Sequence, residues 1–391
     1  SADGGYRQTQ CLAWSRDRGR TWTKHPANPV LDLGSNSFRD PKVFWHAATR
    51  RWVMLVSLAD EGCLRFYTAT DLLHWSQTSE FCPELPGCKV WECPDLIPLP
   101  VPGEPGALAW LLKVDVFEGH PSGGSGALGW IGDFDGQCFV PRQARRWLDG
   151  GRDFYAALSF GAMPPGDERR VWLAWMNDHR YAKHTPTAPW RGAMTLPREL
   201  ALQRAADGAL RLLQQPLGAL AARRDAALPL NLPTALPAIG VGLYTLAPAQ
   251  LMPAAYELDI QLTFDTTPAA PPDAPPAAGW SLQLLASADE ATVLAVDPVR
   301  GELAIDRRRS GWTTVEGAYA GRHALPWPGA QQRVQRLRVI VDTCSVEVFA
   351  GEGEAVITEL VFPAREARAL RLQVDAPLRA LSATLWPLQV D

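Results

Sequence analysis

The chain has 391 residues, 47% hydrophobic and 20% charged, with a formal net charge of -4. That length holds two domains of ordinary size with sufficient cores. The slight acidity speaks against a nucleic-acid partner, and no apolar run is long enough to span a membrane as a helix. Seven Cys form an odd set without pairs at metal-ligand spacing, so they read as free thiols rather than a disulfide framework.

In chain order, the first half reads as short strands punctuated by turns. Residues 15–22 spell Ser-x-Asp-x-Gly-x-Thr-Trp, a hairpin-turn pattern known from several β-propellers, in which Asp17 caps its own turn. Weaker echoes follow at 70–75 and 132–139. Their separations, about fifty and then about sixty residues, match the scale of one four-stranded blade. Between them, residues 52–56 and 110–114 are apolar runs of strand length.

Two segments inside this array carry chemistry. Phe38-Arg39-Asp40-Pro41-Lys42-Val43-Phe44-Trp45 and Trp91-Glu92-Cys93-Pro94-Asp95-Leu96 each set a carboxylate beside a residue able to tune it, within an apolar aromatic run. Desolvation raises a glutamate pKa, whereas an adjacent guanidinium keeps an aspartate ionised. One acid and one anion is the division of labour in glycoside hydrolysis. Singly, each segment has a plainer reading as a turn start or a surface ion pair.

Further on, the Gly-rich stretch 119–126 lacks the lysine and strand-loop-helix context of a phosphate loop and reads as a substrate-side loop or a connection. Residues 203–225 carry Ala, Leu and Arg at helical spacing and read as a short connecting helix or linker. The run at 266–276, dense in proline, reads as a solvated loop insertion. Residues 337–341 and 346–349 alternate as antiparallel strands do. His46, His74, His120 and His184 show no metal-ligand spacing and read as scattered surface residues; no metal and no cofactor is expected.

Together and in this order, the Arg-Asp-Pro and Glu-Cys segments resemble those of glycoside hydrolase family 32, which cleaves β-fructosides. The resemblance continues through Trp172-Leu173-Ala174-Trp175-Met176-Asn177 and Trp190-Arg191-Gly192. It ends at Val341-Asp342-Thr343-Cys344-Ser345-Val346-Glu347-Val348-Phe349-Ala350, similar to the family's C-terminal sandwich signature. It implies an all-β chain, a five-bladed β-propeller incomplete at its N-terminus followed by a β-sandwich. The divisions are then 1–202 for the catalytic propeller, 203–225 for a linker and 226–391 for the sandwich. It also implies a retaining β-fructosidase, exo-acting on levan, inulin or sucrose, and favours a secreted or periplasmic location.

Residue by residue, the resemblance makes Glu92 the general acid/base and Asp40 the transition-state stabiliser. Arg39 would hold the sugar and keep Asp40 anionic, and Cys93 would tune Glu92 through a local irregularity of the strand. Trp91 and Asn177 complete the substrate-binding set, and His179 stands where many relatives carry a pocket tryptophan. The family's nucleophile belongs to a Trp-Met-Asn-Asp-Pro-Asn-Gly segment upstream of Arg-Asp-Pro, and nothing before Phe38 matches it, Asp3 and Asp17 included. Trp175-Met176-Asn177-Asp178 spells its first letters in the wrong context, so Asp178 is not expected to be the nucleophile. The alternative is a catalytically silent fructan-binding or structural protein.

Overall fold

A computed structural model describes residues 6–233, 238–265, 279–314 and 319–389. The proline-dense stretch 266–276 and Asp3 lie outside the described residues.

A ribbon of β1 (Ala13–Trp14) and β2 (Thr23–Lys24) precedes three antiparallel meanders. The first runs β3 (Phe38–His46), β4 (Arg51–Leu58), β5 (Cys63–Ala69) and β6 (Ser76–Phe81). The second comprises β7 (Lys89–Pro100), β8 (Leu108–Glu118), β9 (Gly126–Phe134), β10 (Phe139–Pro141) and β11 (Arg146–Trp147). The third is β12 (Tyr155–Ser159), β13 (Arg170–Trp175), β14 (Arg198–Arg204) and β15 (Leu210–Pro216). Their first strands β3, β7 and β12 neighbour one another, so these sheets are propeller blades around a shared axis.

The turn echoes do what their composition dictates. Asp17 accepts the Thr21 amide at 2.9 Å and its hydroxyl at 2.7 Å. Asp71 accepts the Leu73 and His74 amides, and Asp135 those of Gln137 and Cys138. Each aspartate closes a connection between consecutive strands, β1 to β2, β5 to β6 and β9 to β10, by satisfying amides the turn leaves unpaired. Blade faces then pack on each other: Val53, Leu55, Leu64 and Phe66 meet Trp91, Leu112 and Val114, while Ile97, Leu111 and Ala127 meet Phe154, Trp172 and Leu200. Burial on both faces is why β4 and β8 read as continuous apolar runs.

Residues 203–216 are strand and turn rather than linker. β14 and β15 pair in register from Arg198↔Pro216 to Arg204↔Leu210, around a turn in which Gly208 takes a φ of +82°. Leu210 and Leu212 pack against the second inter-blade core, a tertiary gain that overrides helical propensity. The propeller therefore extends to residue 216, and the connection is a 3-10 turn at Gly218–Arg223.

The sandwich joins a six-stranded sheet to a five-stranded one. The first holds β16 (Gly242–Ala247), β18 (Trp280–Ala286), β19 (Ala291–Asp297), β20 (Glu302–Arg309), β21 (Arg322–Pro326) and β25 (Ala369–Val374). The second holds β17 (Tyr256–Phe264), β22 (Val334–Asp342), β23 (Ser345–Ala350), β24 (Ala355–Leu360) and β26 (Leu378–Pro387). Leu258, Ile260 and Leu262 alternate inward from β17 to meet Leu282, Leu284 and Leu372.

Two further expectations are corrected. Cys63 and Cys82 are disulfide-bonded, because the adjacent Leu64↔Phe81 pairing of β5 and β6 brings the flanking residues face to face. His46 and His120 are buried rather than superficial. His120 donates from Nε2 to the Asp149 carbonyl at 3.0 Å and accepts the Ser122 amide at Nδ1.

Propeller and sandwich meet through buried charge. Arg198 on β14 pairs with Asp149 at 3.1 Å and with Glu347 of β23 at 2.8 Å. Arg307 on β20 pairs with Asp153 and with Glu359 of β24, both at 2.6 Å, and donates to the Tyr181 hydroxyl.

Candidate active site

The first strand of each blade breaks its ladder at one place. In β3 the register shifts between Arg39 and Lys42, in β7 between Glu92 and Asp95, and in β12 between Tyr155 and Leu158. Inside each shift sits a non-glycine residue in the left-handed region: Asp40 (φ 60°), Cys93 (φ 49°) and Ala156 (φ 52°). Such a conformation is disfavoured for L-residues and persists only where surroundings impose it. A bulge also re-aims side chains, so each inner strand turns one polar group out of the ladder.

Those groups converge. Arg39 donates from Nε to Glu92 Oε1 at 3.0 Å, and its Nη2 lies 2.9 Å from the same oxygen. The Tyr155 hydroxyl donates to Glu92 Oε2 at 2.6 Å. The Cys93 amide donates to Asp40 Oδ2 at 2.9 Å, with the thiol 3.7 Å from the same oxygen. Glu92 and Arg39 keep about a fifth of their side-chain surface exposed, 19% and 22%, so the cluster is reachable from solvent.

The pairing corrects the expected partners. Arg39 is bonded to Glu92, not Asp40, and Cys93 is bonded to Asp40, not Glu92. The crossing follows from the bulges: each carboxylate is turned away from its sequence neighbour and toward the adjacent inner strand. Glu92 does not sit in an apolar setting, since a guanidinium and a phenol fill its two oxygens. Burial pushes the Cys93 thiol up to about 12, against the pull of Lys113, so it is a neutral S–H donor. Burial, then Asp115 and Glu92, raises Tyr155 well above its ordinary value and keeps its hydroxyl protonated.

Trp91 is corrected as well. At 1% exposure its ring packs against Trp130 and beneath Gly62, on the strand face opposite Glu92, so it is core rather than a sugar platform. Asn177 is also buried; its Oδ1 accepts the Asp178 amide, while its Nδ2 has no hydrogen-bond partner among the described residues. Asp178 is fully buried, accepting the Ser125 amide and hydroxyl at Oδ2 and the Arg180 amide at Oδ1, with Arg152 3.8 Å away. It fastens the 119–126 connection, where a Cβ on Gly124 would collide with its carboxylate.

One participant is absent from the sequence reading: Tyr155, which no motif or spacing marks. Beneath the cluster lies a supporting layer, where Lys42 reaches Asp95 at 3.0 Å and the Ser159 carbonyl at 2.9 Å, while Asp95 accepts the Ser159 amide at 2.6 Å. Three inner strands are thus tied by one ion pair. His179 lies beside Tyr155, Trp175 and Phe117, with ring centroids 4.7, 5.1 and 4.5 Å apart, and burial lowers its pKa.

Comparison with known proteins agrees with this architecture. The glycosyl hydrolases family 32 N-terminal domain matches residues 2–216, and the family 32 C-terminal domain matches residues 243–387. A levanase of Bacillus subtilis is 37% identical over 389 residues, covering 98% of this chain and 55% of its own length. An extracellular exo-inulinase of Aspergillus niger is 32% identical over 385 residues, covering 93% of this chain and 68% of its own. The chain thus spans between about half and two thirds of these relatives. The exo-inulinase crystal structure from Aspergillus awamori superimposes with a TM-score of 0.83 at 29% identity, covering 98% of this chain and 75% of that one. From two domain matches in the right order and relatives alike over nearly its whole length, the chain belongs to glycosyl hydrolases family 32.

Proposed function

We propose that the chain is a β-fructosidase that releases fructose from levan, inulin or sucrose by retaining double displacement, acting from the chain end. The observation that carries the reading is the convergence of Glu92 and Asp40 on adjacent bulged strands, each with oxygens held by fixed donors. Glu92 is the acid/base: in protonated form it delivers a proton to the glycosidic oxygen, then takes one from the incoming water. Arg39 and Tyr155 hold its two oxygens, which fixes the direction of proton transfer.

Asp40 is the stabiliser. With Oδ2 anchored by the Cys93 amide, its other oxygen is the one offered to fructose hydroxyls as oxocarbenium character develops. Double displacement also requires a carboxylate nucleophile, a role we assign to no described residue; Asp178 is disqualified by its burial and by its bonds to Ser125 and Arg180 with Arg152 beside it. The relatives are named levanase, exo-inulinase and fructofuranosidase, which supports a fructan or sucrose substrate without choosing among them.

The test is fructose release from levan, inulin and sucrose, with Glu92→Gln alongside. The variant is expected to lose about 10²–10⁴-fold in kcat, the usual contribution of a positioned proton donor. No fructose from the unaltered protein, together with calorimetrically measurable fructan binding, would favour a silent binding protein instead.

A further inference from the structure

Behind the site lies a charged pair that the proposed chemistry does not use. Lys113 and Asp115 on β8 are both fully buried and in direct contact. Two charges taken out of water demand compensation in bonding. The ammonium has three donors. It places one on Asp115, one on the Cys93 carbonyl at 3.0 Å and one on the Ala157 carbonyl at 2.6 Å.

The two carbonyls explain the location. Cys93 is the left-handed residue of the β7 bulge, and Ala157 directly follows the left-handed Ala156 in the β12 bulge. A bulge removes a carbonyl from its ladder, and a buried carbonyl without a donor is costly. One ammonium satisfies both. The residues aimed by those same bulges are Glu92 and Tyr155, whose side chains meet at 2.6 Å. Burial pushes Asp115 up to about 7 against the pull of Lys113; it is the ammonium's carboxyl partner, and it stands opposite Glu92 in the β7–β8 register.

We propose that Lys113, paired with Asp115, is the positioning residue of this site: a single buried ammonium holds the β7 and β12 bulges and thereby sets Glu92 and Tyr155 against each other. The inference rests on the acid/base role proposed for Glu92. It differs from the Lys42 tie, which bonds beyond the bulges and touches neither carbonyl.

The experiment is Lys113→Met with Asp115→Asn, which removes both charges together. It is made in a background with Cys11, Cys88, Cys138 and Cys344 replaced by serine, so that Cys93 is the sole unpaired thiol. Two quantities are read: kcat and KM for fructose release, and the rate of Cys93 modification by a disulfide reagent. A folded double variant is expected to lose at least 30-fold in kcat with KM within threefold, and its thiol to react at least tenfold faster as the bulge relaxes. Native kcat, or an unchanged thiol rate, overturns the proposal. If the unaltered protein releases no fructose, the β-fructosidase reading fails and the thiol rate alone decides the positioning role. Should the double variant not fold, Lys113→Gln carries the same test, since its neutral, shorter amide cannot hold both carbonyls. Native kcat in folded Lys113→Gln is equally fatal.

Discussion

Two clusters of arginine and carboxylate lie within a few strands of each other and do opposite work. At the propeller–sandwich junction, Arg198 is wholly buried and bonds inward to Asp149, Gln214, Glu347 and Thr358. At the head of β3, Arg39 makes an equally close pair with Glu92, but both keep an edge toward solvent. The junction draws its partners from the protein itself, with Arg198 Nε left unbonded among the described residues, whereas the Glu92 cluster retains a solvent-facing edge for a ligand. Residue type does not separate structural from functional charge here; what does is whether a solvent-facing edge remains.

The comparison can be broken by mutation. Glu92→Gln should abolish most turnover while leaving the melting temperature within about 2 °C, because the isosteric amide keeps the packing and the pair retains a solvent-facing edge. Arg198→Met should do the reverse, lowering stability by about 3–5 kcal/mol because Asp149 and Glu347 are left buried and unpaired, as calorimetry or urea unfolding would show. If Arg198→Met unfolds no more easily than the native chain, the junction is not the structural lock described.

Acid should sharpen the same distinction. Burial depresses His120 to about 4, and protonation would charge a ring whose Nδ1 must accept the Ser122 amide. The folded pKa lies below the unfolded value of about 6.5, so the unfolded chain takes up the proton first. Its contribution is present above pH 6.5 or so and is lost as pH falls toward 4, by up to about 3 kcal/mol. His120→Gln should flatten the melting temperature against pH across that window; an unchanged slope would assign the acid sensitivity elsewhere. The smallest effect is expected from Tyr155→Phe, which removes one hydrogen bond to a charged group: about tenfold in kcat, with KM little changed and stability nearly native.

Turn chemistry and strand periodicity mark the blade strands in the sequence because both are local: Asp17, Asp71 and Asp135 cap amides two to four residues away, and β17 and β22 alternate in plain view. The sandwich and the grouping of Arg39, Asp40, Glu92 and Cys93 come instead from the resemblance of whole motifs to family 32. Residues 203–216 carry helical spacing yet form strands for the complementary reason, since only packing of Leu210 and Leu212 against another blade fixes them there. Trp91 falls in the substrate-binding set by the resemblance because it stands beside Glu92 in the motif, yet the pleat sends adjacent side chains to opposite faces.

Which group touches which was decided by tertiary structure. Arg39 bonds Glu92 and Cys93 bonds Asp40 because the left-handed bulges of β3 and β7 turn each residue toward its neighbour in space. Tyr155 and Lys113 enter the site from 63 and 20 residues away along the chain. Nothing in a linear spacing encodes that approach, because it depends on how whole blades pack about an axis.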